Sequence, residues 1–174
     1  MVNDASVNRK LKPPIIQCFG DIALAAEGDY ERFLGPVVTV LQQASAAQCE
    51  AGASTEWMDY ISLLQESVLE AYTGIIHGLK AENKLDAFKG HVNAVLDFVQ
   101  RIITAQEKPQ SSVVKSAVCV MGDLVLAFKA ELAAYLGSAP FMGQLVQLAR
   151  SCDDPKVIQD AQWLENVLIK FRTG

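Results

Sequence analysis

The sequence predicts an all-α fold, a solenoid of stacked antiparallel helix pairs, and three observations lead to this prediction. Apolar residues recur at helical spacing along most of the chain, no window of five or more residues alternates strictly between apolar and polar types, and helix breakers are sparse and regular. Apolar types make up 51% of the 174 residues and charged types 20%. This composition is typical of a folded chain and excludes a long disordered protein.

The breakers divide the chain into seven predicted helices joined by short linkers. Pro14 and Pro155 suit a first helical turn, where a missing N–H costs nothing, and Ser54 and Asp154 are suitable N-caps. Pro140 falls inside the sixth segment and is expected to kink or split it. The predicted segments run over about 13–27, 30–50, 55–80, 86–106, 111–129, 131–151 and 155–172.

A recurring frame, that is, a short sequence pattern around a glycine, appears in three of these helices and indicates an internal repeat. Its glycines are separated by 54 and 48 residues: Gly20, Gly74 and Gly122. A glycine in the middle of a helix costs about 1 kcal/mol relative to alanine, so we expect close helix packing there. Two helices in a period of this size are typical of HEAT-type repeats, with helix pairs at about 1–27, 30–80, 86–129 and 131–172. A compact helical bundle is the alternative.

Charge is distributed unevenly along the chain. The net charge is −5, which excludes a general attraction to nucleic acid or to an anionic membrane. Between Pro13 and Leu79, however, nine acidic residues accompany a single base, Arg32, so this stretch carries a formal charge of −8. The imbalance suggests a basic partner.

The cysteines lie far apart and within apolar periodic stretches, at Cys18, Cys49, Cys119 and Cys152. We therefore expect buried free thiols, a reducing intracellular compartment, and no metal or other cofactor. The longest apolar stretch, Ala117–Phe128, is shorter than the ~18 residues that a membrane span needs, so no membrane insertion is expected. The sequence contains no recognisable catalytic motif, and we predict a binding protein rather than an enzyme.

Carboxylates recur on the faces opposite the apolar stripes. Asp59, Glu66 and Glu70 share one face of the 55–80 helix, and no Lys or Arg follows any of them after three or four residues. Asp21 and Asp123 occupy the same place in the recurring frame. If these helices form the inner layer of a solenoid, a Lys/Arg-rich helix would relieve the repulsion between the carboxylates. The alternatives are a solvated face, or aspartates that bond the backbone of a neighbouring repeat.

Trp163 lies off the apolar stripe of the last helix, one turn after Asp160. A tryptophan beside a carboxylate can hold Arg or Lys by a cation–π contact, and the alternative is a tryptophan that caps the core. Trp57 is expected to be a packing anchor. The residues predicted to bind a basic helix are Asp21, Asp59, Glu66, Glu70, Asp123, Asp160 and Trp163.

Several blocks of the sequence are distinctive. The most specific are Lys12–Ala25 (KPPIIQCFGDIALA) and Glu66–Ile75 (ESVLEAYTGI), accompanied by Leu41–Ser45 and Gly78–Lys80. These blocks resemble the C-terminal part of the importin subunit beta family, and a looser likeness continues to the helix of Trp163.

This resemblance implies the last HEAT repeats of a longer nuclear import receptor. It implies that acidic and tryptophan side chains wrap the basic importin-beta-binding helix of importin alpha, and that Asp21, Glu66, Glu70, Asp123 and Trp163 take this role. Ran in its GTP form would release the cargo, and Ran and FG-nucleoporins would bind mainly through repeats outside this chain. The implied localisation is the cytoplasm, the nucleus and the nuclear pore. A passive HEAT scaffold in a multiprotein complex is the alternative.

Overall fold

The computed structural model describes residues 8–49, 52–105 and 108–172. These ranges contain helices and no strand, which confirms the all-α prediction. The α-helices are α1 (Lys12–Ala26), α2 (Leu34–Ser45), α3 (Thr55–Ala81), α4 (Val92–Ile103), α5 (Ser111–Leu136), α6 (Pro140–Arg150) and α7 (Pro155–Arg172). Three 3-10 segments accompany them: Arg9–Leu11, Glu27–Phe33 and Leu85–His91.

The predicted helix starts agree best with the structure where a cap is present. The Ser54 hydroxyl accepts a hydrogen bond from the Trp57 backbone N–H at 3.3 Å, and α3 begins at the next residue. The Asp154 carboxylate accepts one from the Lys156 N–H at 2.9 Å, immediately before Pro155 opens α7. The helices α2 and α4 begin later than predicted, because 3-10 segments take up the first residues of both predicted ranges.

The largest difference from the predicted elements lies between residues 111 and 151. Helix α5 does not end near residue 129 but kinks there, where Lys129 adopts φ 53° and ψ −132°. Pro140 splits the predicted 131–151 segment, as expected, by taking the first position of α6. The residues before it complete α5 and the residues after it form α6.

The chain divides into two compact units, Met1–Ala94 and Val95–Gly174. In the first unit α3 is the central helix, and α1, α2 and the Glu27–Phe33 segment pack against it. Tyr72 of α3 is fully buried and meets the buried ring of Phe88 edge-on, with ring centroids 6.2 Å apart. The core of this unit therefore lies along the apolar stripe that the sequence predicts for α3.

Glycines set the packing of α1 on α3. A methyl group placed on Gly74 would lie 2.7 Å from the Cα atom of Gly20, and one placed on Gly78 would lie 2.2 Å from the carbonyl oxygen of Ala23. Both distances are shorter than real Cβ contacts, so these glycines allow the two backbones to touch. Gly20 contacts Gly74, and the later residue Ala23 contacts the later residue Gly78, so α1 and α3 run parallel. The close packing expected at Gly20 and Gly74 is confirmed.

The second unit is built from α5, α6 and α7 with most of α4. Helix α7 packs along α5, where the Trp163 ring lies on Gly122 and the Arg172 side chain lies on Gly137. These contacts also advance in the same direction, so α5 and α7 run parallel. A short turn joins α6 to α7, and the Arg150 guanidinium forms an ion pair with Glu165.

Helix α5 is long and apolar enough, by length and composition alone, to cross a membrane. Half of its most apolar 18-residue window is nevertheless buried within the structure, against α6 and α7. Core helices of folded proteins share this character. The packing indicates that α5 is the core helix of the second unit.

The expectation of four buried cysteines is wrong for three of them. Cys152 is buried, Cys49 and Cys119 are half-buried, and Cys18 is exposed; all four are free thiols. Cys18 follows the buried Ile16 by two residues on α1, which turns it away from the face that packs on α3. Helical periodicity alone did not distinguish these two faces.

Candidate functional site

The first group of predicted site residues lies where α1 packs on α3. The Gln17 side-chain amide on α1 donates a hydrogen bond to a Glu70 carboxylate oxygen on α3, at 2.8 Å. Asp21 directly follows Gly20, and a methyl group placed on Gly20 would lie 3.2 Å from the carbonyl oxygen of Glu70. Asp21 is exposed, whereas Glu66 and Glu70 are half-buried. The glycine contact thus places the backbone next to Asp21 close to the backbone of Glu70 on the parallel helix.

Asp59 extends this group toward the start of α3. It is exposed and precedes Glu66 by seven residues, which is about 10 Å along the helix axis. Glu66 and Glu70 are one turn apart, about 6 Å along the axis. We refer to Asp59, Glu66 and Glu70 on α3, together with Asp21 on α1, as the acidic row.

The second group lies where α7 packs on α5. The pKa of the Cys119 thiol is raised to about 11, mainly by burial and also by the nearby carboxylates of Asp160 and Asp123, while Lys115 opposes them. Asp123 is one turn after Cys119 on α5, and Asp160 lies on α7, so both aspartates are close to the same thiol. Both aspartates are half-buried. The thiol is protonated at neutral pH and is not a nucleophile there.

Trp163 completes this second group. Its ring lies on Gly122, since a methyl group placed there would be 2.1 Å from Cζ3 and 2.2 Å from Cη2 of the indole. The side chain is still 37% exposed, one turn after Asp160. The tryptophan therefore packs on α5 and also presents part of its ring beside a carboxylate. We refer to Asp123, Asp160 and Trp163 as the α5–α7 cluster.

Three residues next to these groups were not among the predicted site residues. Gln17 holds Glu70, Gly122 supports Trp163, and Arg9 places its guanidinium over Trp57, with its Cζ atom 4.7 Å from the ring centroid. The recurring glycine frame could have indicated Gly122, because a mid-helix glycine implies a close neighbour. No signal in the sequence distinguishes Gln17 or Arg9 from other exposed polar residues. In the described ranges, no group of three or more His, Cys, Asp or Glu side chains could hold a metal ion.

The sequence matches the family model described as importin subunit beta-1-like, TPR repeats, over residues 1–150. The chain belongs to this family. Importin subunit beta-1 of Schizosaccharomyces pombe is 35% identical over 133 residues, which cover 76% of this chain and 15% of that protein. Importin subunit beta-1 of Arabidopsis thaliana is 30% identical over 175 residues, which cover 98% of this chain and 20% of that protein.

A solved structure agrees with this family membership. A crystal structure of importin beta in a polyethylene glycol condition superposes with a TM-score of 0.89 at 27% identity, and the match covers 99% of this chain and 21% of that chain. The likeness confirms the predicted HEAT-repeat solenoid. This importin beta-like chain spans between 15% and 21% of the length of these relatives.

Proposed function

We propose that this chain is a basic-helix-binding segment of a nuclear import receptor and has no enzymatic activity. Its partner would be the basic importin-beta-binding helix of importin alpha, or a basic nuclear localisation signal, carried between cytoplasm and nucleus through the nuclear pore. Ran in its GTP form would release the cargo. Ran and FG-nucleoporins would bind mainly through repeats outside this chain.

The observation that carries the proposal is the pair of half-buried carboxylates, Glu66 and Glu70, beside the contact between α1 and α3. Gln17 holds Glu70 from the neighbouring helix, which limits the side-chain entropy that a ligand would have to remove. Hydrogen bonds between a carboxylate and an arginine or lysine are about twice as strong as neutral ones. Carboxylates spaced by turns of one helix suit a helical ligand with basic side chains at similar spacing.

The α5–α7 cluster supplies a different contact for the same class of ligand. The exposed part of Trp163 offers a ring face, and Asp160 lies one turn before it on α7. A guanidinium or ammonium group on such a ring gains about 0.5–1 kcal/mol, and more when it is desolvated. Asp123 adds a second carboxylate on α5.

A passive HEAT scaffold is the second candidate, and the hydrogen bond between Gln17 and Glu70 favours it to the same extent. A carboxylate that only fastens α1 to α3 would accept such a bond without binding any ligand. The two functions differ in their salt dependence. Peptide binding by the acidic row would weaken steeply with ionic strength, whereas a scaffold would not bind the peptide.

The decisive experiment titrates a fluorescently labelled importin-beta-binding helix against residues 1–174 at several salt concentrations. Replacing Glu66 and Glu70 by glutamine keeps their shape and removes two charges, and we expect affinity to fall more than tenfold, since hydrogen bonds to charged groups contribute about 1.5–3 kcal/mol each. The matched control is D97N/E131Q, which removes two exposed carboxylates outside both groups. Equal losses in the two double variants would contradict a specific role for the acidic row.

A further inference from the structure

An aromatic pair at the start of α3 carries a cation from the same chain. The rings of Trp57 and Tyr60 have centroids 5.2 Å apart and are inclined by 36°. The Cζ atom of Arg9 lies 4.7 Å from the centroid of the Trp57 ring. Neither aromatic residue belongs to the acidic row or to the α5–α7 cluster.

The local sequence explains why the two rings are adjacent. Trp57 and Tyr60 are three residues apart in the first turns of α3, so they lie on the same side of the helix. The cap formed by Ser54 fixes the backbone of Trp57 at this point. Both side chains are half-buried, so each ring is supported by the protein and still reaches solvent. This arrangement presents a fixed aromatic surface.

Arg9 reaches this surface from the 3-10 segment Arg9–Leu11, which leads into α1. It is exposed, and among the described residues no hydrogen bond or ion pair holds its side chain. The charge of Arg9 also lies close to the Tyr60 hydroxyl. Burial raises the pKa of this hydroxyl, and the positive charge of Arg9 opposes that rise. A guanidinium that is held only by a ring face can be displaced by another arginine or lysine side chain.

We propose that Trp57 and Tyr60 form a binding platform for an arginine or lysine side chain of a basic peptide, and that Arg9 is an internal competitor that occupies it in the free chain. The inference rests on the proposed function for its partner class and adds a third contact, an aromatic one, beside the Asp59 end of the acidic row. Two acidic residues of the same helix turn, Glu56 and Asp59, are exposed next to the platform and favour a cationic ligand. Binding a partner's basic side chain here requires Arg9 to leave.

The test uses residues 1–174 with Trp163→Phe, so that Trp57 is the only remaining tryptophan of the two in the sequence. The labelled importin-beta-binding helix is titrated against this protein, against its Arg9→Gln variant and against its Lys10→Gln variant. Lys10 is an exposed neighbour in the same 3-10 segment, so its substitution removes the same charge without touching the platform. Anisotropy of the peptide reports binding, and Trp57 emission reports the platform.

We expect Arg9→Gln to raise the affinity about threefold to fivefold above that of Lys10→Gln, which is the size of one cation–π contact expressed as a ratio. The peptide should also change Trp57 emission more strongly in Arg9→Gln than in Lys10→Gln. Adding Trp57→Ala should abolish the difference in affinity between the two variants. Thermal unfolding of each variant checks that the fold is retained.

Equal affinities of Arg9→Gln and Lys10→Gln would overturn the inference, because the charge alone would then account for the effect. Binding seen by anisotropy with unchanged Trp57 emission would also overturn it and would leave the proposed function intact. A peptide that binds none of these proteins, the unsubstituted chain included, would refute the proposed function and the inference together.

Discussion

Gly122→Ala is the substitution that most directly tests how Trp163 is placed. The added methyl group would lie 2.1 Å from Cζ3 of the indole, whereas ordinary contacts begin at 3.4 Å, so the ring or α7 must move by at least the difference, 1.3 Å. The indole is rigid and belongs to a packed helix, so the movement requires another rotamer or a shift of α7. Either change would disturb the α5–α7 cluster.

The expected energies follow from two opposing effects. Forcing a methyl group into a packed contact costs about 1–3 kcal/mol, and replacing glycine by alanine within a helix gains about 1 kcal/mol. In the otherwise unaltered chain, Gly122→Ala should therefore lower the free energy of unfolding by up to about 2 kcal/mol. In a Trp163→Ala background the clash is absent, and the same substitution should raise it by about 1 kcal/mol.

Urea unfolding followed by far-UV circular dichroism measures these differences. Gly143→Ala is the matched control, because nothing lies within 4 Å of a methyl group at that helical position. It should raise the free energy of unfolding, by up to about 1 kcal/mol, in both backgrounds. If Gly122→Ala changes the free energy of unfolding equally with and without Trp163, to within about 0.5 kcal/mol, then Trp163 does not pack on Gly122, because the effects of residues that do not touch are additive to about that accuracy.

Three further predictions concern stability and thiol reactivity. Gly78→Ala forces the backbones of α1 and α3 apart, so, after the helical gain of alanine, it should lower the free energy of unfolding by up to about 2 kcal/mol in urea titrations. Gly35→Ala, with open space around it, should not lower it. Burial raises the pKa of Tyr30 from 10.0 to about 12, so the unfolded chain loses this proton first and stability should fall between about pH 10 and 12. Tyr30→Phe should remove that part of the pH dependence and, because the buried hydroxyl has no hydrogen-bond partner among the described residues, raise stability near neutral pH by about 1 kcal/mol. At pH 8 a maleimide should modify the exposed Cys18 well before Cys119, whose raised pKa keeps its thiol protonated, and mass spectrometry of timed digests would reveal the reverse order.

Local sequence signals were sufficient where the chemistry is local. The cap at Ser54 and the prolines at the starts of α1 and α7 determine helix starts through interactions within a few residues, and the predicted positions agree with the structure. The mid-helix glycines also carried information, because their cost in a helix is offset only by a close neighbour. By contrast, no local signal predicts the kink at Lys129, since lysine is a good helix former and rarely adopts positive φ.

The family resemblance and the helical periodicity allowed seven candidate site residues to be selected, but did not reveal their immediate surroundings. Periodicity assigns one apolar stripe to each helix, whereas a helix in a stack has neighbours on more than one side. Which face each neighbour covers depends on contacts between residues tens of positions apart, such as Gln17 with Glu70 or Gly122 with Trp163.

The helical character of the chain, the helix starts at capping residues and prolines, the acidic character of residues 13–79 and the close packing at three glycines are all visible in the sequence. Three features emerge only in the folded chain: Gly20 meets Gly74, Cys18 faces solvent, and Arg9 lies on Trp57. The physical reason is that secondary structure depends on short-range sterics and hydrogen bonding, whereas these contacts depend on how two helix surfaces fit, which no single stretch of sequence encodes.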